Sequence, residues 1–218
     1  MEGKVRSAFK EFKPSPKKVF HRIQESEQRG SRTVISHGNF KETYLQIALP
    51  ISSAKDEDTP ALDALSQFLG GGESSRLVQK VKLEKALVHS IYASSYTPKD
   101  PGLFVIGATL PAENVERAIE VILGEVIRLR AEGVTTEELH RVKGIIESEL
   151  IYDRQTVQGQ AMKIGFYEVT AGDVRFEKEY MRRIALLQNE DIQRVLRKYF
   201  KNHRLSVSIL APAEKIDL

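Results

Sequence analysis

Cysteine is absent from the 218 residues. Its absence excludes disulfide staples and thiolate metal sites, and it leaves the redox compartment open. Long apolar runs are absent too. No stretch approaches the ~18–20 apolar residues of a membrane-spanning helix. The N-terminus, MEGKVRSAFKEFKPSPKK, lacks the apolar h-region of a secretory signal. A soluble chain with no membrane contact is expected, and its compartment is not legible. Charge of one sign is scarce: 33 Lys and Arg stand against 30 Asp and Glu, a net +3. A dedicated nucleic-acid binder displays a strong basic patch or stripe, so nucleic acid is not expected as a partner.

Motifs that carry chemistry are missing as well. The five histidines are His21, His37, His89, His140 and His203. No two have the i, i+4 spacing that puts a pair of imidazoles on one helix face, and H-x-x-E-H occurs nowhere. No metal site is expected in this chain. There is no G-x-S-x-G elbow for a nucleophilic serine, and no catalytic residue is assigned. Gly70, Gly71 and Gly72 invite a phosphate-loop reading, but neither G-x-x-x-x-G-K-[ST] nor a post-strand G-x-G-x-x-G is present. Three glycines between two helical stretches serve a sharp turn with positive φ available. They also leave backbone that a peptide could approach.

What remains is well patterned. Residues 1–30 are polar and basic, and Pro14 and Pro16 break any helix there. They read as a linker or arm, with 31–218 as one domain. Thr33-Val34-Ile35 and Tyr44–Leu49 read as strands, the second apolar enough to be central. His37-Gly38-Asn39-Phe40 carries turn residues between them. Thr59 as N-cap and Pro60 at the first helical position open a helix with an apolar stripe of Leu62, Leu65, Phe68 and Leu69. Ser74 or Ser75 caps a second helix bearing Leu77, Val78, Val81 and Leu83. Val88–Tyr96 and Leu103–Leu110 form an antiparallel hairpin across Lys99-Asp100-Pro101-Gly102. Helices follow: one carrying Val115 to Leu129 and ended by Gly133, one opened by the capping box Thr135 to Glu138, and pieces near 157–170, 174–186 and 190–201. A strand from Leu205 to Leu210 closes the chain. Segregated helices and strands predict an α+β fold, a two-layer sandwich of helices on a mixed, largely antiparallel sheet.

The block GGGESSRLVQKVKLEKALVHSIYASSY, followed by YTPKDPGLFVIGATL, resembles the second domain of the pitrilysin/insulinase family of zinc metallopeptidases, relatives of the mitochondrial processing peptidases. FKETYLQIALP resembles that family's opening strand. GVTTEELHRVKGIIESELIYDRQTVQGQA resembles its helical pair, and IALLQNEDIQRVLRKYF its closing helix. The first 30 residues resemble a linker from a preceding domain.

Members often carry S-R-L-x-x-x-[VL]-R-x-x-x-x-L-x-Y. Ser75, Arg76, Leu77, Val81 and Leu87 match it here, while the second arginine is Lys82 and the tyrosine is His89. The resemblance implies that Lys82 and His89 contact substrate, with a cation or donor kept and the planar fork of arginine lost. Arg76 joins the candidate set, with a role in tying the helix start to nearby carboxylates. Gly71 and Gly72 join it as backbone a peptide can approach. Tyr92, which shares a strand face with Tyr96, could flank a peptide groove or serve cross-strand packing.

What the resemblance implies overall is a metal-free domain of a zinc metalloendopeptidase that forms a chamber wall and orients peptide, in part through strand addition. The zinc and the acid-base glutamate would sit in a partner catalytic domain of the same or another chain, and a homodimer is left open. The alternative is a structural core-type subunit that has lost proteolysis. A third reading, a polyanion binder using the basic arm, predicts salt-sensitive nucleic-acid binding.

Overall fold

The computed structural model describes residues 2–13 and 26–213. Pro14, Pro16, Lys17, Lys18, His21 and Arg22 of the expected arm lie outside the described residues. Ahead of them Glu2–Ala8 forms a short helix (α1), where an irregular connector was expected. Among the described residues the strands are Arg32–Gly38 (β1), Thr43–Ile51 (β2), Ser90–Tyr96 (β3), Gly102–Leu110 (β4) and Ser206–Pro212 (β5). They form one sheet in the order β1-β5-β2-β4-β3. β1 runs parallel to β5 and every other pairing is antiparallel. The sheet is therefore mixed and largely antiparallel, and helices pack on it, as the sequence predicts.

Period-two alternation explains why one face is the core. In β2, Thr43, Leu45, Ile47, Leu49 and Ile51 are buried, while Tyr44 and Gln46 between them are exposed. β2 lies between β5 and β4, the central place its apolar composition predicts. β5 extends past Leu210 to Pro212 because it reaches beyond β2 and pairs there with β1 alone. Pro212 therefore needs no N–H for the β2 ladder. β1 likewise takes in His37 and Gly38, which the turn reading had placed between strands.

The main helices are Thr59–Gly70 (α2), Val115–Glu132 (α3), Thr136–Asp153 (α4), Val157–Ala171 (α5), Phe176–Leu186 (α6) and Asn189–Tyr199 (α7). α2 is apolar nearly all round, as a helix surrounded by protein must be. It lies on β3 and touches α4, α6 and α7. Leu62, Leu65, Phe68 and Leu69 are fully buried. Phe104 of β4 meets Phe200 edge-on at 5.0 Å between ring centres.

Thr59 does not cap α2. Asp58 occupies the N-cap position, and its main-chain carbonyl accepts from Leu62 N at 2.9 Å. The Thr59 hydroxyl instead donates to the Ser53 carbonyl at 3.0 Å. The Asp58 carboxylate is fully buried and makes no cap bond, because α7 claims it. Arg194 donates to one oxygen, and Lys198 Nζ (2.6 Å) and Tyr199 Oη (2.8 Å) donate to the other. A buried carboxylate is stable when charge and hydrogen bonds both compensate it. Three donors from one helix face do so here.

A second carboxylate, partly buried, has less help. Asp63 on α2 accepts from Tyr180 Oη at 2.7 Å. Burial pushes its pKa up to about 6, against the lowering effect of that hydrogen bond. Between the ordinary value of 3.8 and about 6, the folded chain holds a proton that the unfolded chain has released. Stability therefore falls as pH rises through that window.

Three substitutions test these carboxylates. Asp58→Ala leaves Lys198 and the buried Tyr199 hydroxyl without their acceptor and Arg194 with Asp191 alone; both cations are half-exposed and can be solvated, so the expected cost is about 1–3 kcal/mol. Tyr199→Phe costs about 1.5–3 kcal/mol, as for one hydrogen bond to a charged group. Urea unfolding measures both. Asp63→Asn is expected to stabilise the chain by about 2 kcal/mol at pH 7.5, with the gain gone below pH 4. Melting curves across that range would show a flat difference if Asp63 were not the titrating group.

Candidate functional site

The glycine turn sits where α2 meets β3. A Cβ on Gly70 would strike the Ala93 amide and the Tyr92 carbonyl carbon, so only glycine lets the helix end press onto the strand. Gly71 closes α2 by donating its N–H to the Gln67 carbonyl at 3.1 Å. Gly72 adopts φ +90° with open space where a side chain would be. The two glycines of the candidate set thus differ. Gly71 is packed against Gln67, and Gly72 presents bare backbone to an unfilled space.

The next helix starts at Arg76, but its cap is not the expected one. The Ser75 hydroxyl donates to the Gly72 carbonyl at 2.7 Å instead of accepting a helix N–H. The Ser75 carbonyl accepts from Gln79 N at 2.9 Å and begins the ladder. From Val78 to Glu84 the backbone is then π-wound, with wider i→i+5 turns. Val78 and Val81 stay buried, but Leu83 of the expected apolar face turns out to solvent. The wider turn breaks the 100° spacing that the sequence reading assumed. The segment ends at Ala86, the one non-glycine residue with positive φ (51°) among the described residues.

Arg76 anchors this segment. Its Nε and Nη2 donate to the two carboxylate oxygens of Glu138 at 3.0 and 2.9 Å, and Nη2 also reaches the Gly133 carbonyl at 3.0 Å. Glu138 caps α4 through the expected box, accepting from Thr135 N at 2.8 Å while Thr135 Oγ1 accepts from Glu138 N at 3.1 Å. Partial burial works against the Glu138 anion, but the hydrogen bonds from Arg76 and Thr135 prevail and hold its pKa below the ordinary value. A bidentate, part-buried guanidinium–carboxylate pair is rigid. It fixes the start of the π segment on the α3–α4 turn.

Lys82 and His89 lie further along, and no hydrogen bond or ion pair joins them. Lys82 Nζ is 3.5 Å from Glu73 Oε1, in the turn beside Gly72. His89 Nε2 is 3.9 Å from Glu42 Oε1, just ahead of β2. Both partners are loose and solvent-exposed, so each side chain can be drawn off at little cost. The His89 N–H donates to the Thr109 carbonyl at 2.8 Å, which docks the residue to β4 at the head of β3. Ser90, Tyr92, Ser94 and Tyr96 are the exposed positions of β3. The Tyr92 ring lies over Gly107, its register partner on β4, and fills the space of the missing side chain. The structure thus brings Gly72, Glu73 and Lys82 together, places Tyr92 across β3 from the glycine turn, and sets His89 at the strand's far end.

Glu73 and Glu42 carried no sequence signal, because their partners are set by the turn and the sheet. Asp58 was equally hidden. The spacing of Arg194, Lys198 and Tyr199 puts all three on one helix face and was the available clue. Among the described residues no group of three or more His, Asp or Glu could hold a metal ion. His89 and His37 lie at the ends of different strands, on opposite edges of the sheet. Zinc, the metal of the family that the sequence resembles, does not fit the described residues of this domain. No helix among them is long and apolar enough to cross a membrane.

Comparison with known proteins agrees with this geometry. The chain is 26% identical over 190 residues to an uncharacterized zinc protease of Streptomyces coelicolor, covering 84% of this chain and 41% of that protein. It is 26% identical over 195 residues to the zinc protease PqqE of Helicobacter pylori, covering 87% and 43%. The alpha subunit of the mitochondrial-processing peptidase of Caenorhabditis elegans is 25% identical over 164 residues, covering 70% and 32%. The chain thus spans less than half the length of these relatives. A protease from Helicobacter pylori has the same fold, with a TM-score of 0.85 at 23% identity over 94% of this chain and 51% of that one. So does a peptidase M16 inactive domain from Pseudomonas fluorescens, with a TM-score of 0.77 at 18% identity over 89% and 46%. The model of the peptidase M16 inactive domain matches residues 1–146, and with that match the chain belongs to the peptidase M16 inactive-domain family.

Proposed function

We propose that this chain is the metal-free half of a zinc metalloendopeptidase, and that it forms part of the wall of a peptide chamber and orients substrate. The observation that carries this reading is a pairing of facts. The chain belongs to the inactive-domain family of a zinc-protease lineage, and its described residues hold no metal-binding cluster. Zinc, the zinc-bound water and the general acid-base residue belong on this reading to a partner catalytic domain, in the same polypeptide or another. Residues 1–30 serve as the connector and 31–218 as the domain.

Within the chain the substrate-facing groups are Lys82, His89, Gly72 and Tyr92, with Gly71 shaping the turn between them. Lys82 supplies a mobile cation and His89 a ring donor, each now resting on an exposed carboxylate. A peptide carbonyl can displace such partners cheaply. Arg76 acts one step back, holding the π segment to Glu138.

A second reading, a structural core-type subunit, draws on the same two contacts. If Lys82 and His89 rest permanently on Glu73 and Glu42, they contact no peptide. Turnover of a quenched, unstructured peptide by the zinc-bearing assembly separates the two. Lys82→Ala and His89→Ala are each expected to lower kcat/KM about tenfold, a loss of about 1.4 kcal/mol of transition-state binding, with zinc content unchanged. An assembly without turnover, or one whose kcat/KM ignores both substitutions, would favour the structural subunit.

A further inference from the structure

The acid beside the glycine turn depends on a single cation. Among the described residues Lys82 is the only cation paired with Glu73, its Nζ at 3.5 Å, and the Glu73 side chain is 75% exposed. The neighbouring cations have closer carboxylates of their own. Arg76 is locked to Glu138 at 2.9 Å, and Lys80 sits 2.6 Å from Glu84. The same arrangement recurs at the head of β3, where His89 at 3.9 Å is the partner of a half-exposed Glu42. The turn holds Glu73 in place by its backbone. The Gly72 carbonyl accepts from both the amide (3.0 Å) and the hydroxyl (2.7 Å) of Ser75, and the Glu73 carbonyl accepts from Gln79 Nε2 at 2.7 Å. Both carbonyls are used within the turn, so the acceptor that these two residues still offer a visitor is the Glu73 carboxylate. Gly72 beside it, with open space in place of a side chain, lets another chain come close.

We propose that Glu73 is a specificity-determining residue of the substrate site, selecting peptides that bring a Lys or Arg side chain to the glycine turn. The inference rests on the reading of the preceding subsection, in which Lys82 meets a peptide carbonyl. When Lys82 turns to that carbonyl, Glu73 loses its cation. The same peptide shields the turn from water, so the carboxylate loses hydration as well. A carboxylate deprived of both water and partner is costly. No cluster among the described residues could bring a metal ion there instead. A guanidinium or ammonium group from the peptide replaces what Lys82 gave. An acidic residue at that place adds like-charge repulsion. Peptide binding thus exchanges one ion pair for another, and the exchange balances for a basic peptide alone.

Turnover of paired quenched peptides by the zinc-bearing assembly tests this. The two peptides differ in one residue, Lys or Glu, which is moved through each position flanking the cleaved bond. At the position that meets the turn, kcat/KM is expected to favour Lys. Glu73→Gln should lower that Lys-over-Glu ratio about threefold, the size of an exposed ion pair, and Glu73→Lys should lower it about tenfold, since repulsion then replaces attraction. Lys82→Ala should raise the ratio while slowing both peptides, because no cation of the chain then competes for Glu73. Glu147→Lys, a charge reversal at an exposed position of α4, should leave the ratio unchanged. Glu73 is mostly exposed, so its variants should melt with the parent chain. A ratio that ignores both Glu73 substitutions at every position, in an assembly that still cleaves, would overturn the inference and leave the functional reading standing. An equal shift from Glu147→Lys would also overturn it, by assigning the preference to net charge. An assembly without turnover would sink the functional reading and the inference with it.

Discussion

The position of α2 is the constraint on which the rest of this molecule depends, and the buried charge of Asp58 sets it. One carboxylate, removed from water, collects Arg194, Lys198 and Tyr199 from a single face of α7. Leaving those donors and that acceptor unmatched would cost far more than the bonds return in water. The start of α2 therefore has one place relative to α7. Its other end has one place as well, because Gly70 presses into the backbone of β3 with no room for a side chain. A helix pinned at both ends carries the glycine turn, and the turn carries everything that follows it up to the head of β3.

Between Arg76 and His89 the chain is held firmly at one point and loosely elsewhere. Arg76 is locked to a carboxylate that also caps α4. Beyond it the backbone leaves α-helical geometry for π winding and then a left-handed residue at Ala86. Such departures recur where side chains must be aimed at a task other than packing. Lys82 and His89 fit that description, since each rests on an exposed carboxylate and neither contributes to the core. The segment thus combines a rigid base at Arg76 with displaceable tips at Lys82 and His89.

Much of this was legible in the residues, for identifiable reasons. The mostly apolar run Tyr44–Leu49 marks β2 as central, and the period of two along a strand leaves it one fully buried side. The hairpin, the capping box at Thr135 and Glu138, and the glycine turn are local signals, and the structure keeps them. What escaped was long-range or a matter of winding. Thr59 reads as the cap of α2 because cap chemistry is local, whereas Asp58 is claimed by residues more than a hundred positions away. Ser75 reads as a cap acceptor, and a nearby carbonyl makes it a donor. LVQKVKLEK has the same apolar spacing whether wound as α or π, so Leu83 could not be placed.

The central claim is that this domain serves a zinc peptidase without holding the zinc. Metal content by mass spectrometry of the purified 218-residue chain, together with cleavage of a quenched unstructured peptide with and without chelator, tests it most directly. The account predicts a chain free of stoichiometric zinc and inert toward the peptide. About one zinc per chain with chelator-sensitive cleavage would contradict it, and would require His89, His37 and their neighbours to assemble a site that this fold keeps apart.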